Sequence, residues 1–112
     1  MERVAVDAKL TTQLRDRLSD LDQVAQKRIV GGVGFTWRGK LLCGVIGDEL
    51  LFRIPRPEFD ALVGEDGARP MAMARRQSKG WVLLPASVLS SHAVVGKWLN
   101  RAMGCVVTRS VS

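Results

Sequence analysis

His92 is the only imidazole in the chain, so chemistry that needs one must be built around it. It follows Ser90 and Ser91, at the start of an apolar periodic stretch, which reads as a helix-cap position. A metal site would need a second histidine or a cysteine pair nearby. The two cysteines, Cys43 and Cys105, are far apart and form no C-x-x-C. A nucleophilic triad would need a serine or cysteine in an elbow with His92 as its base. No G-x-S-x-G is present, and Cys43 lies within a strand pattern. The chain has no tyrosine to act as an acid or base. The paired carboxylates Asp48/Glu49 and Glu65/Asp66 fall at turns and read as solvated turn acids rather than an acid–base pair. The expectation is therefore no catalytic residues, no metal and no cofactor.

Two groups of residues remain. Glycines Gly31, Gly32 and Gly34 could cradle a phosphate only if they led into a helix. They lead into Phe35-Thr36-Trp37, which is strand-like, so they read as a bend or bulge between strands. The basic residues are more suggestive. Arg75, Arg76 and Lys79 surround a predicted hairpin whose turn is read at Gln77-Ser78-Lys79, Lys27 and Arg28 precede the glycine bend, and Arg53 and Arg56 flank the end of the fourth strand. The first five are the candidate contacts for a protein or nucleic-acid partner, because guanidinium and ammonium groups hold anionic oxygens. Neither a helix-turn-helix nor an aromatic RNA-binding signature is readable. Phe35, Trp37, Phe52, Phe59, Trp81 and Trp98 all fall on apolar stripes or strand faces and read as packing residues.

The elements that must position these residues follow from periodicity. The chain has 112 residues, 46% hydrophobic and 25% charged, enough for one packed domain. Its net charge of +6 is uneven. Residues 1–26 hold four basic and five acidic side chains, and 27–112 hold thirteen and six. A basic body suits an acidic partner. No apolar run reaches membrane-spanning length and no signal core is visible, so a cytoplasmic protein with two free, buried thiols is expected.

Asp7 is a plausible cap for a first helix with Leu10, Leu14, Leu18 and Leu21 on one face, ending near 19–22. Strands are predicted at 24–30, 33–37, 40–46 and 49–54, with tight turns at Arg38-Gly39 and Gly47-Asp48. Pro57 opens a short helix carrying Phe59, Leu62 and Val63, stopped by Gly64. A loosely alternating stretch at 69–75 and a strand at 80–84 follow. The last helix buries Val95, Trp98, Leu99, Ala102 and Val106 and is weakened by Gly96 and Gly104. The whole reads as an α+β fold, one antiparallel sheet with helices packed on it. The domain is expected to occupy 1–107, with 108–112 as a frayed tail.

Four stretches carry a family resemblance: RIVGGVGF at 28–35, RGKLLC at 38–43, GDELLFR at 47–53 and KGWV at 79–82. Together they resemble the TfoX N-terminal domain, found in the TfoX/Sxy competence regulators of bacteria. The resemblance runs from about Gln26 to Ala102. Gly31, Gly32, Gly34, Gly39, Gly80 and Trp81 are its motif positions and imply a structural role. At the family's usual Met-Phe before the double glycine this chain has Ile29-Val30, which keeps apolar bulk. The resemblance implies the order helix–three strands–helix–two strands–helix, a bacterial cytoplasmic protein and no known catalytic site. It reads as a stand-alone N-terminal domain. Full regulators of the family carry a second, helical domain and act as transcriptional co-activators for DNA-uptake genes. The expected function is thus a binding module that modulates transcription through a protein partner such as the transcription machinery, with nucleic acid as a second partner and no membrane. Two alternatives stay open: a homodimeric or otherwise self-associating interaction protein, and a small-ligand binder or enzyme.

Overall fold

The computed structural model describes residues 8–29, 31–73 and 76–111. Helix α1 (Ala8–Arg17) is followed by strands β1 (Val24–Ile29), β2 (Gly32–Trp37), β3 (Lys40–Ile46) and β4 (Glu49–Arg53). After a 3₁₀ turn at Arg56–Glu58 come the short helix α2 (Phe59–Leu62) and a second 3₁₀ turn at Glu65–Gly67. Strands β5 (Arg69–Met73) and β6 (Arg76–Pro85), a third 3₁₀ turn (Ala86–Ser90) and helix α3 (His92–Val111) complete the chain. The α+β class and the helix–strands–helix–strands–helix order agree with the sequence reading.

Three details differ. Four strands precede α2, as the residues read one by one, rather than the three the resemblance implies. The turn read at 77–79 is instead part of β6, which starts at Arg76. Helix α3 runs to Val111, so the boundary expected at 107 does not mark its end. Asp7, the proposed cap of α1, and Val30 lie outside the described residues.

The six strands form one antiparallel sheet in the order β1-β2-β3-β4-β6-β5. Consecutive β1 to β4 make a meander because their connections are too short for parallel crossovers. The β2–β3 hairpin turns through Arg38 at φ 55° and Gly39 at φ 84°. Two left-handed residues match the right-handed twist of the strands. Arg38 accepts the conformation while lying 4.6 Å over the Trp37 ring. Deeper in the same hairpin the backbones crowd each other. A Cβ on Gly32 would sit 1.8 Å from the Val45 carbonyl oxygen, and one on Gly44 would sit 2.5 Å from that of Val33. Only glycine fits there. Between Phe35↔Cys43 and Thr36↔Leu41 the register shifts, leaving Leu42 as the extra residue of a bulge. The bulge lets neighbouring Leu42 and Cys43 both be fully buried.

One face of the sheet holds the core. Phe35, Cys43, Phe52 and Val82 lie in one register row and Val45, Leu50 and Leu84 in the next. Leu10 and Leu14 of α1, Leu18 in the turn after it, Phe59 and Leu62 of α2, and Val95, Trp98, Leu99, Ala102 and Val106 of α3 close over them in one cluster. Each fully buried side chain of this size contributes roughly 1.5–3 kcal/mol. Leu51 is only 2% exposed yet lies outside that cluster, on the opposite face with Gly34, Gly44 and Leu83.

Helix α3 is started by Ser91, whose Oγ accepts from the Val94 amide at 3.2 Å. Arg17 clips α1 to this start: Nη1 lies 2.5 Å from His92 Nδ1, and Nη2 donates to the Leu89 carbonyl. Among the described residues, no helix is long and apolar enough to cross a membrane.

Candidate functional site

The structure separates the basic residues singled out from sequence. Lys27 and Arg28 are exposed on β1, one edge of the sheet. As successive strand residues they point to opposite faces. Arg76 and Lys79 belong to β6, beside the other edge. Four strand spacings of about 4.8 Å put β1 and β6 roughly 19 Å apart. Lys79 is exposed, with its Nζ 5.9 Å from the Phe59 ring centroid. Arg75 lies outside the described residues. Lys27 and Arg28 therefore do not share one site with Arg76 and Lys79.

The motif glycines and Trp81 hold backbone and packing positions. Gly31, at φ 85°, turns the chain into β2, and Gly34 is covered by Ile29 and Leu41. In β6, Gly80 faces the Arg56 stem at 3.8 Å from a built Cβ. The half-buried Trp81 ring carries the Arg53 guanidinium 4.5 Å above it.

Three arginines from three different elements do converge. Arg53 ends β4, Arg56 opens the 3₁₀ turn and Arg101 sits in the second half of α3; together they line an open groove of about 530 Å³. Pro55 and Pro57, from the turn after β4, and Gly104 and Cys105 of α3 also line it. Pro55 places the arginines by ending β4, since it cannot donate to a ladder. Arg53 is held in two ways: Nε donates to the Leu41 carbonyl at 2.7 Å, and the guanidinium stacks on Trp81. Arg101 stacks on Trp98 at 4.7 Å, and its Nη1 is buried without an acceptor. Arg56 is exposed and pairs with no carboxylate among the described residues. Glu58 is the one acid in the lining, against three cations.

The acids Glu65 and Asp66, read from sequence as solvated, do structural work. Asp66 Oδ2 accepts from the Trp98 indole at 2.9 Å and lies 2.8 Å from Lys97 Nζ. Glu65 pairs with Lys97 at 2.9 Å and reaches Arg101 at 3.7 Å. Hydrogen bonds from Lys97 and Trp98 hold the Asp66 carboxyl below its ordinary range, and the same carboxylates raise Lys97. Glu49 likewise pairs with Arg69 and raises it further. Asp66 can do this because it sits at φ 55°, in a turn shaped by Gly64 at φ 98°. Sequence spacing could not show that this turn lies against α3.

Neither Cys43 nor Cys105 is in a disulfide. Cys43 is fully buried, and burial pushes its thiol well up. Cys105, expected to be buried as well, is half-buried and lines the groove. Among the described residues, no three His, Cys, Asp or Glu side chains gather as metal ligands. What the groove offers chemically is binding: planar guanidinium donors held in place for carboxylate or phosphate oxygens.

Compared with known families, residues 16–106 match the model of the TfoX N-terminal domain. No curated protein and no solved structure matches the chain.

Proposed function

Because the chain belongs to the TfoX N-terminal domain family, we propose that it is a cytoplasmic, non-catalytic binding module that modulates transcription through contacts with a protein partner. The family match over residues 16–106 carries this reading. The separation of the basic side chains adds to it. Lys27 and Arg28 stand about 19 Å from β6, so they do not join Arg76 and Lys79 in one basic patch facing a duplex. Nucleic-acid contact is in this reading an accessory, electrostatic attraction of a chain with net charge +6.

Affinity purification of the tagged full chain tests the protein half of the proposal. RNA polymerase or a transcription factor should be enriched over an untagged control, and enrichment of neither would refute it. Anisotropy with duplex DNA at ~50 and ~200 mM salt tests the accessory half. Weak binding at the lower salt that disappears at the higher is expected, because released counterions drive it. No binding at ~50 mM would remove nucleic acid from the reading.

A further inference from the structure

We propose that the groove lined by Arg53, Arg56 and Arg101 binds an acidic segment of a protein partner, a short extended peptide carrying carboxylates. The inference rests on the binding-module reading and names the part of the surface that does the binding. Three observations carry it.

The first is charge. Three guanidinium groups and one carboxylate, Glu58, line the groove, which leaves it cationic. An arginine has five N–H donors in a planar fork. Arg56 has no carboxylate partner among the described residues, whereas Arg101 reaches Glu65 at 3.7 Å and buries its Nη1 without an acceptor. The second is preorganisation. The Arg53 and Arg101 guanidinium groups lie 4.5 Å and 4.7 Å over the Trp81 and Trp98 rings, so two of the three cations are already ordered before anything binds. The same stacking occupies a face of each indole, and Trp98 is fully buried. Stacking platforms for nucleic-acid bases are therefore not what this groove presents. Carboxylates, which match the guanidinium fork, suit it better.

The third is shape. Gly104 lies inside α3 against the groove, and a Cβ built there meets nothing within 4 Å. A glycine inside a helix destabilises it relative to alanine. No close packing within the chain compensates for that loss, but the glycine keeps the groove open where a peptide backbone would pass. Pro55 and Pro57 add apolar lining for small side chains between the carboxylates.

A fluorescein-labelled Glu–Leu peptide titrated onto the full chain at ~50 mM salt tests the proposal by anisotropy. Saturable binding is expected. Arg56→Glu should weaken it at least ~tenfold, and Gly104→Leu should block the groove, both with unchanged circular dichroism. Lys27→Glu, at the far edge of the sheet, should change affinity by less than ~twofold because it lies beyond the Debye length. Inorganic phosphate and duplex DNA serve as competitors. The proposal is overturned by absence of peptide binding, by equal weakening from Lys27→Glu and Arg56→Glu, or by DNA or phosphate binding the groove in preference to peptide. A partner that co-purifies equally with wild type and Arg56→Glu would remove the groove and leave the binding-module reading standing.

Discussion

Replacing Asp66 should cost the protein a structural anchor. Trp98 is fully buried, and its indole N–H has the Asp66 carboxylate as its acceptor at 2.9 Å. Asp66→Gly keeps the left-handed backbone at φ 55° free of strain but removes that acceptor. Leaving a buried donor unsatisfied costs about 1–3 kcal/mol. The unfolding entropy of ~2.1 cal/mol/K per residue gives this 112-residue chain roughly 0.24 kcal/mol/K, so Tm should fall by about 4–12 °C. Asp66→Asn tolerates the same backbone and keeps an amide oxygen for the indole while losing the charge. Its loss should be clearly smaller, because the ion pair to Lys97 is half-exposed and worth little. Thermal unfolding by circular dichroism, with near-ultraviolet spectra for the tryptophans, measures both. Equal losses for Gly and Asn would refute the reasoning, since charge rather than the indole acceptor would then dominate. No loss for Gly would show that the bond holds nothing.

The same cluster sets a pH dependence. Asp66 is held below the ordinary carboxylate value of about 3.9, so its contribution is complete above that and lost as pH falls through the lowered value. Lys97 is raised, so its contribution is complete below about 10.4 and lost as pH climbs through the raised value. Tm measured against pH should therefore decline on the acid side in wild type and less steeply in Asp66→Asn. Gly104→Ala should stabilise α3 by about 0.5–1 kcal/mol, roughly 2–4 °C in Tm, because the added methyl meets nothing. Gly32→Ala should fail to fold or melt far below wild type, because the new Cβ falls 1.8 Å from the Val45 oxygen; soluble expression and Tm report it. Iodoacetamide should label half-buried Cys105 in the native protein and reach Cys43 only on unfolding, because burial removes both access and thiolate. Mass spectrometry of the labelled peptides decides.

Much of the fold was legible because local rules agreed with tertiary structure. The leucines at 10, 14 and 18 and the stripe of Val95, Trp98, Leu99, Ala102 and Val106 are core residues, as their helical spacing indicates. Leu50, Phe52 and Ile54 share the core face, as strand alternation requires. The strands failed to read where the pattern was weak. In 76–80, Gln77, Ser78 and Lys79 give no apolar alternation, so β6 looked like a turn until Trp81. The site was less legible than the fold, for a reason of distance. Arg53, Arg56 and Arg101 are separated by up to 48 positions and meet only because α3 returns across β4. Arg53 and Arg56 are legible as a basic pair at the end of β4, but their meeting with Arg101 is not, and the contact candidates Lys27–Arg28 and Arg76–Lys79 go to opposite sides of the sheet.

The anchor and the groove are one mechanical unit. Asp66 fixes the Trp98 indole through its N–H, and the ring of that indole supports the Arg101 guanidinium. Glu65, next to Asp66, reaches the same arginine at 3.7 Å. The turn at 65–67 thus sets the position of one of the three cations in the groove. An Asp66→Gly chain held well below its lowered Tm should therefore still fold but bind an acidic peptide more weakly than Asp66→Asn. The indole would retain its burial and lose its orientation, and Arg101 would lose a fixed surface to lie on. Because Arg56 sits on a separate turn beyond that network, its contribution to binding should persist in the Asp66→Gly background. The two substitutions should then weaken binding additively when combined, whereas Asp66→Gly and Arg101→Ala, acting on the same guanidinium, should not.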